Sequence, residues 1–175
     1  MKHIFDIFLN ILSNTRLMLA GLVAVSAFSL GMAFMAQYVF GLAPCILCLY
    51  QRVPFAIVIA LGLIGLVLSG KYPKTGPFIL VLSGLALLTN SIIAFYHTGV
   101  EQKWWVSFLE ACSTPDMSGN VEDLMARIQA APVVRCDEIP WVDPILGLSL
   151  ANYNVIFCLG LAVVAFIAAR CVRQA

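Results

Sequence analysis

Four stretches of the chain contain no Asp, Glu, Lys or Arg: Leu17 to Gln51, Val53 to Gly70, Thr75 to Val100, and Pro144 to Ala169. Crossing a hydrocarbon core of roughly 30 Å takes about 20 helical residues at about 1.5 Å of rise each. The first stretch holds one crossing and a turn, and each of the others holds one crossing. The pattern predicts helices over about 17–39, 46–69, 77–97 and 149–170. Ahead of the first, Ile4, Phe5, Phe8, Leu9, Ile11 and Leu12 recur at helical spacing, with Lys2, Asp6, Asn10 and Ser13 on the other face. That spacing predicts a short interfacial helix within residues 1–15 that anchors the chain in the membrane surface.

Composition agrees with this pattern. The 175 residues are 62% hydrophobic and 11% charged, with a mean hydropathy of +0.97, whereas soluble domains carry about 25% charged residues. The expected fold class is an all-α membrane protein, one domain spanning 1–175. A removable leader is not expected, because the first apolar run exceeds the roughly 7–15 residues of a signal-peptide core.

Charge supplies the orientation. Lys2, Arg16, Lys71, Lys74, Arg170 and Arg173 fall at the same side of the four crossings, six of the ten basic residues. Basic flanks stay in the cytoplasm, so both termini are expected there. The turn around Pro44 and the long loop over 98–148 then lie outside. From His97 to Leu148 the chain has eight of the nine acidic residues against Lys103, Arg127 and Arg135, a net charge of 3 − 8 = −5. Two apolar stripes interrupt that polarity. Trp104, Trp105, Phe108 and Leu109 suit the lipid headgroup level, and Val121, Leu124, Met125 and Ile128 share a face of a helix that Asn120 can cap and Pro132 follows. The loop is expected to lie along the membrane on short interfacial helices.

Cysteine usage brings in chemistry. Cys45 and Cys48 stand where the first outer turn enters the second helix, Cys112 and Cys136 in the outer loop, and Cys158 and Cys171 on the fourth helix and its end. Four of the six therefore face the side where disulfides persist. Haem attachment needs a His directly after the second Cys of the close pair, and Leu49 follows instead. A structural zinc site needs a second spaced knuckle, which Cys112 and Cys136 are too far apart to provide, and no other metal-ligand cluster stands out. Thiol–disulfide exchange and an inert staple remain. Exchange is favoured by position, because free N–H groups and the helix dipole at a helix start stabilise a thiolate. Arg52 lies seven residues after Cys45 and four after Cys48, which at about 100° per residue puts all three within about 40° on one face. A guanidinium inside a membrane helix costs roughly 2.5–3.5 kcal/mol at the centre and less near the edge, so it has a task beyond packing or snorkels back to the interface.

GLAPCILCLYQR, with four predicted helices, a Cys pair in the second outer loop and YHT at 96–98, resembles the disulfide bond formation protein B family of bacterial inner membranes. The resemblance implies a membrane thiol:quinone oxidoreductase that reoxidises a periplasmic thioredoxin-fold (DsbA-like) disulfide donor and uses ubiquinone or menaquinone as acceptor. Carried onto this chain, it implies that Cys45 and Cys48 form the membrane-proximal redox pair. Cys112 would form the mixed disulfide with the partner, and Cys136 would complete the loop pair. Arg52 and His97 would bind the quinone. Gln51 stands where some members have an acidic residue, and the loop around Cys112 and Cys136 follows no detailed family pattern. Cys158 and Cys171 fall outside this scheme and read as packing thiols.

Two other functions fit the four crossings. A tetraspanin-like organiser would use the cysteines as structural disulfides, but the large loop lacks the adjacent Cys-Cys-Gly of such proteins and Arg52 would be unexplained. A vitamin K epoxide reductase-like enzyme would have its CxxC on the fourth helix, whereas here it opens the second.

Overall fold

The computed structural model describes residues 11–109, 112, 125 and 134–174. Four long helices form its body: α1 (Thr15–Tyr38), α2 (Ile46–Leu68), α3 (Thr75–Glu101) and α4 (Leu150–Gln174). All four are long and apolar enough to cross a membrane. The described residues contain no strand, only an isolated bridge between Val142 and Ser149. The protein is therefore an all-helical membrane bundle. Successive helices run in opposite directions, so the start of α1, the α2–α3 turn and the end of α4 share one end. The start of α2, the end of α3 and the start of α4 share the other, and that end carries Cys45.

Large side chains face outward: Phe28, Leu63, Val67, Phe78, Ile92 and Ile156 are exposed, Val67 to 79%. In water such a surface would aggregate; in lipid it is the solvated face. Inside, small and polar residues let the helices approach, as expected where lipid removes the hydrophobic drive between them. Ala162, Ala165 and Ala168 of α4 are buried with Leu19, Leu22, Val58, Leu80 and Leu87. At Gly62 an added methyl carbon would lie 2.4 Å from Cγ2 of Val23 and 3.5 Å from the Leu19 carbonyl oxygen, so α1 and α2 cross there only because no side chain intervenes. The Ser91 hydroxyl donates to the Val155 carbonyl oxygen at 3.0 Å, joining α3 to α4.

Several boundaries differ from expectation, among them the start of α3, at Thr75 rather than 77, and the end of α4, at Gln174 rather than 170. Helix α1 begins at Thr15, where the Asn14 side chain caps it by accepting from the Leu17 amide at 3.1 Å. Of the expected N-terminal interfacial helix only Ile11 to Ser13 is described; it is helical, with Ile11 exposed but Leu12 buried in the bundle core, and residues 1–10 lie outside the described residues. Helix α3 runs to Glu101 rather than 97, because Glu101 turns inward and is held there by the Ser149 hydroxyl.

Past Glu101 the chain reverses. Lys103 takes φ 58°, the Trp104 amide donates to the Gly99 carbonyl and the Lys103 amide to Val100, a Schellman-type ending with lysine where glycine is usual. The Trp104–Leu109 stripe is thus turn and irregular backbone folded onto α3, not a helix. The Trp105 ring stacks on Tyr96 at 6.0 Å and lies over Gly99. Trp104 and Phe108 remain exposed, as a headgroup-level position requires. The second expected interfacial helix, over 121–128, lies outside the described residues except Met125, which is helical and exposed.

Candidate active site

Between α1 and α2 the backbone turns at Gly41 (φ 67°) and enters α2 through Pro44. Cys45 is the N-cap of α2: its sulfur accepts from the Cys48 amide at 3.3 Å and lies 3.0 Å from the Cys48 sulfur. The two thiols are unbridged. The three-residue offset from N-cap to first helical turn brings the second sulfur back over the cap, so the local fold alone makes the pair.

Helix α3 brings the next group. His97 Nε2 lies 3.5 Å from Cys45 Sγ and 3.6 Å from a Glu101 carboxylate oxygen. Both side chains are buried. Cys45, just ahead of the membrane span, has its thiol held well below the ordinary value, first by the hydrogen bond from Cys48 and then by His97, against the opposing effect of burial. A thiolate is the nucleophilic form of cysteine, so this sulfur is set up to attack or donate.

Arg52 reaches toward α1. Its guanidinium donates to the Gln37 side-chain oxygen at 2.6 Å and to the Ala33 carbonyl at 3.4 Å, and lies 5.1 Å from the centre of the Phe34 ring. A membrane-embedded cation is thereby paired with backbone, amide and aromatic face instead of an acid. Cys45, Cys48, Arg52 and His97 all line one cavity of about 500 Å³, walled by all four helices and the segment around Val134 and Trp141. The predicted common face of Cys45, Cys48 and Arg52 is therefore present.

Cys112 and Cys136 are joined as a disulfide with Cα atoms 4.7 Å apart. Both are buried, and they pack in one cluster with Cys45, Leu47 and Val100, with Cys48 and Tyr96 against it. The two sulfur pairs, 64 residues apart from Cys48 to Cys112, thus share one apolar contact zone. On either side of Cys136, Arg135 pairs with Asp137 and Glu138.

The expected site residues come together, and four others that sequence reasoning did not assign to the site join them. Glu101 and Ser149 close the space behind His97. Gln51 places its amide nitrogen 2.9 Å from His97 Nδ1, and Asn154 donates to the Gln51 oxygen at 2.7 Å. The available signal was polarity: Glu101 sits one turn after His97, and Asn154 is an amide within an apolar crossing. Cys45, Cys48 and His97 have donor atoms within 4.8 Å of one another, a soft-metal donor set by geometry. The nitrogen beside Nδ1 is an amide N–H donor, however, and its hydrogen bond would leave the ring proton on Nε2, the nitrogen that a metal would need.

A family model described as disulfide bond formation protein DsbB matches residues 15–168. A disulfide bond formation protein B of Polaromonas naphthalenivorans is 31% identical over 180 aligned residues, covering 95% of this chain and 99% of that protein. The protein of the same description in an Azoarcus species is 30% identical, covering 82% and 85%, and that of Stutzerimonas stutzeri is 29% identical, covering 79% and 85%. No solved structure gives a significant match.

Proposed function

This chain belongs to the disulfide bond formation protein DsbB family, a multi-pass bacterial membrane protein of disulfide formation, and on that premise we propose that it oxidises a periplasmic thioredoxin-fold dithiol and passes the electron pair to a membrane quinone, ubiquinone or menaquinone. The observation that carries this reading is the meeting of an unbridged Cys45–Cys48 pair, a buried Cys112–Cys136 disulfide and the Arg52-lined cavity in one place.

The exchange chemistry balances without a soluble cofactor. A partner thiolate attacks the Cys112–Cys136 disulfide, and the partner's second thiolate resolves the mixed disulfide, leaving the partner oxidised and the loop pair as two thiols. Those thiolates reduce a Cys45–Cys48 disulfide in the same manner, returning the loop disulfide. In this scheme the electrons wait at the membrane when the loop disulfide is intact and Cys45 and Cys48 are both thiols.

The cavity suits the acceptor. About 500 Å³ lies within the roughly 300–1,000 Å³ of small-molecule sites, and Phe28, Met32, Phe55 and Phe157 give it an apolar lining. A bound quinone supplies a two-electron, two-proton sink. For their part, Cys48 and His97 hold Cys45 as thiolate, Arg52 offers a fixed positive charge on the same wall, and the apolar helices exclude water. The basic residues Arg16, Lys71, Lys74 and Arg170 flank the opposite end of the bundle, which supports a periplasmic sulfur end and cytoplasmic termini.

The decisive assay mixes the purified protein anaerobically with a short-chain quinone and a reduced thioredoxin-fold protein and follows quinone absorbance. Absorbance is expected to fall, and Cys45→Ala is expected to stop it. Unchanged quinone reduction in that variant would overturn the proposal.

A further inference from the structure

The hydrogen bonds behind His97 continue into the bundle. Asn90 of α3 donates through Nδ2 to Cys158 Sγ at 3.3 Å, and the Cys158 thiol donates to Asn154 Oδ1 at 3.1 Å. Asn154 Nδ2 donates to Gln51 Oε1 at 2.7 Å, and Gln51 Nε2 stands 2.9 Å from His97 Nδ1. Asn90 and Cys158 are fully buried and Gln51 nearly so. Every member points its hydrogen the same way, from the core toward the imidazole.

That common sense has a chemical consequence. An amide nitrogen can only donate, so Nδ1 must accept, and a neutral ring then has its single proton on Nε2. Nε2 faces Cys45 Sγ at 3.5 Å and a Glu101 oxygen at 3.6 Å, both acceptors when ionised. The donors on one side of the ring and the acceptors on the other demand the same tautomer. Reversing the chain would turn two buried amides and the half-buried Asn154, and present a bare nitrogen to a thiolate and a carboxylate, a costly arrangement away from water.

We propose that Asn90, Cys158, Asn154 and Gln51 are positioning residues that lock His97 as its Nε2–H tautomer, so that it donates to the Cys45 thiolate. Cys158 is then a hydrogen-bonding link, not the packing thiol that its place in an apolar helix suggests. The inference rests on the functional reading only in taking Cys45 as the reacting sulfur.

The test uses the full-length reduced protein in detergent. His3→Gln leaves His97 as the single histidine of the two in the chain, and its ¹⁵N chemical shifts report which nitrogen has the proton. The expected result is a protonated Nε2 and a bare Nδ1. A proton on Nδ1 instead would overturn the proposal without any further variant. The second measurement is the pH profile of Cys45 alkylation by iodoacetamide, followed by mass spectrometry; Cys45 is buried from bulk solvent but lines the cavity, which gives a small uncharged reagent its route. Groups that face it are Cys48 and Arg52 on α2, Glu101 on α3, Tyr153 on α4, and Arg135 and Glu138 from the segment before α4. Those remain in place in every variant. Asn154→Leu and Cys158→Ala are expected to mix the tautomers and to slow alkylation below neutral pH by about tenfold for each unit by which the thiol rises. Cys158→Ser, which keeps a donor and an acceptor, is expected to restore both. If Asn154→Leu and Cys158→Ala leave the tautomer and the alkylation profile unchanged, the positioning role is refuted. Neither readout needs quinone or partner. A protein that shows the Nε2–H tautomer but reduces no quinone would therefore refute the functional reading alone.

Discussion

Replacing Arg52 separates the two substrates of the proposed reaction. The guanidinium is one forked group that satisfies Gln37 and Ala33 on α1 while forming part of the cavity wall. Arg52→Lys keeps the charge but has a single nitrogen, which cannot hold the Gln37 oxygen and face an acceptor at once. A hydrogen bond to a charged group contributes about 1.5–3 kcal/mol, and each 1.4 kcal/mol is about tenfold. The apparent KM for quinone is therefore expected to rise by about tenfold to a hundredfold in Arg52→Ala. Arg52→Lys is expected to fall between that variant and the unsubstituted protein. The KM for the reduced thioredoxin-fold partner should hardly move, because the guanidinium contacts Gln37, Ala33 and Phe34 of α1 and not Cys112 or Cys136. The assay is steady-state quinone reduction with each substrate varied in turn. Equal losses for both substrates would show that Arg52 acts on the fold and not on the acceptor.

Further expectations concern sulfur and the segment after α3. Because Cys45 is held below the ordinary thiol value, its iodoacetamide reaction should stay fast as pH falls below about 8.5 and slow only through the depressed value; His97→Ala should move that fall toward neutral pH. A Cys45 profile already like that of a free thiol in the unsubstituted protein would contradict the assignment. Cys112→Ala should abolish oxidation of the protein partner while a small dithiol still drives quinone reduction through Cys45 and Cys48, measured by the same absorbance. In Gly99→Ala the new carbon would stand 1.9 Å from Cζ2 of Trp105, so that indole must leave Tyr96, which a shift in tryptophan emission would report; unchanged emission would show that the ring does not rest there.

The sequence made the crossings and the Cys45–Cys48–Arg52 face legible because both depend on local periodicity. Charge-free runs of the right length are helices wherever they pack, and residues four and seven apart share a helical face in any bundle. What Arg52 touches was not legible, since Gln37 and Phe34 become neighbours only through the way α1 lies against α2. The end of α3 was misplaced for a related reason. Glu101 reads as a polar terminator, but a carboxylate that finds the Ser149 hydroxyl inside the bundle can prolong the helix. Trp104 to Leu109 has the composition of a membrane-surface helix, and only the reversal at Lys103 shows that it folds back on Tyr96. Asn154 carried a usable signal. An amide in an apolar crossing has to find a partner across the bundle, and that partner is Gln51 beside the histidine.

The Cys112–Cys136 bridge is 1% and 0% exposed at its two residues. Glutathione, drifting past in solution, meets no sulfur surface that it can strike. In the proposed reaction a protein partner has to displace covering side chains before its own thiolate reaches the bridge, so mechanical fit at the door would choose the electron donor, upstream of any difference in redox potential.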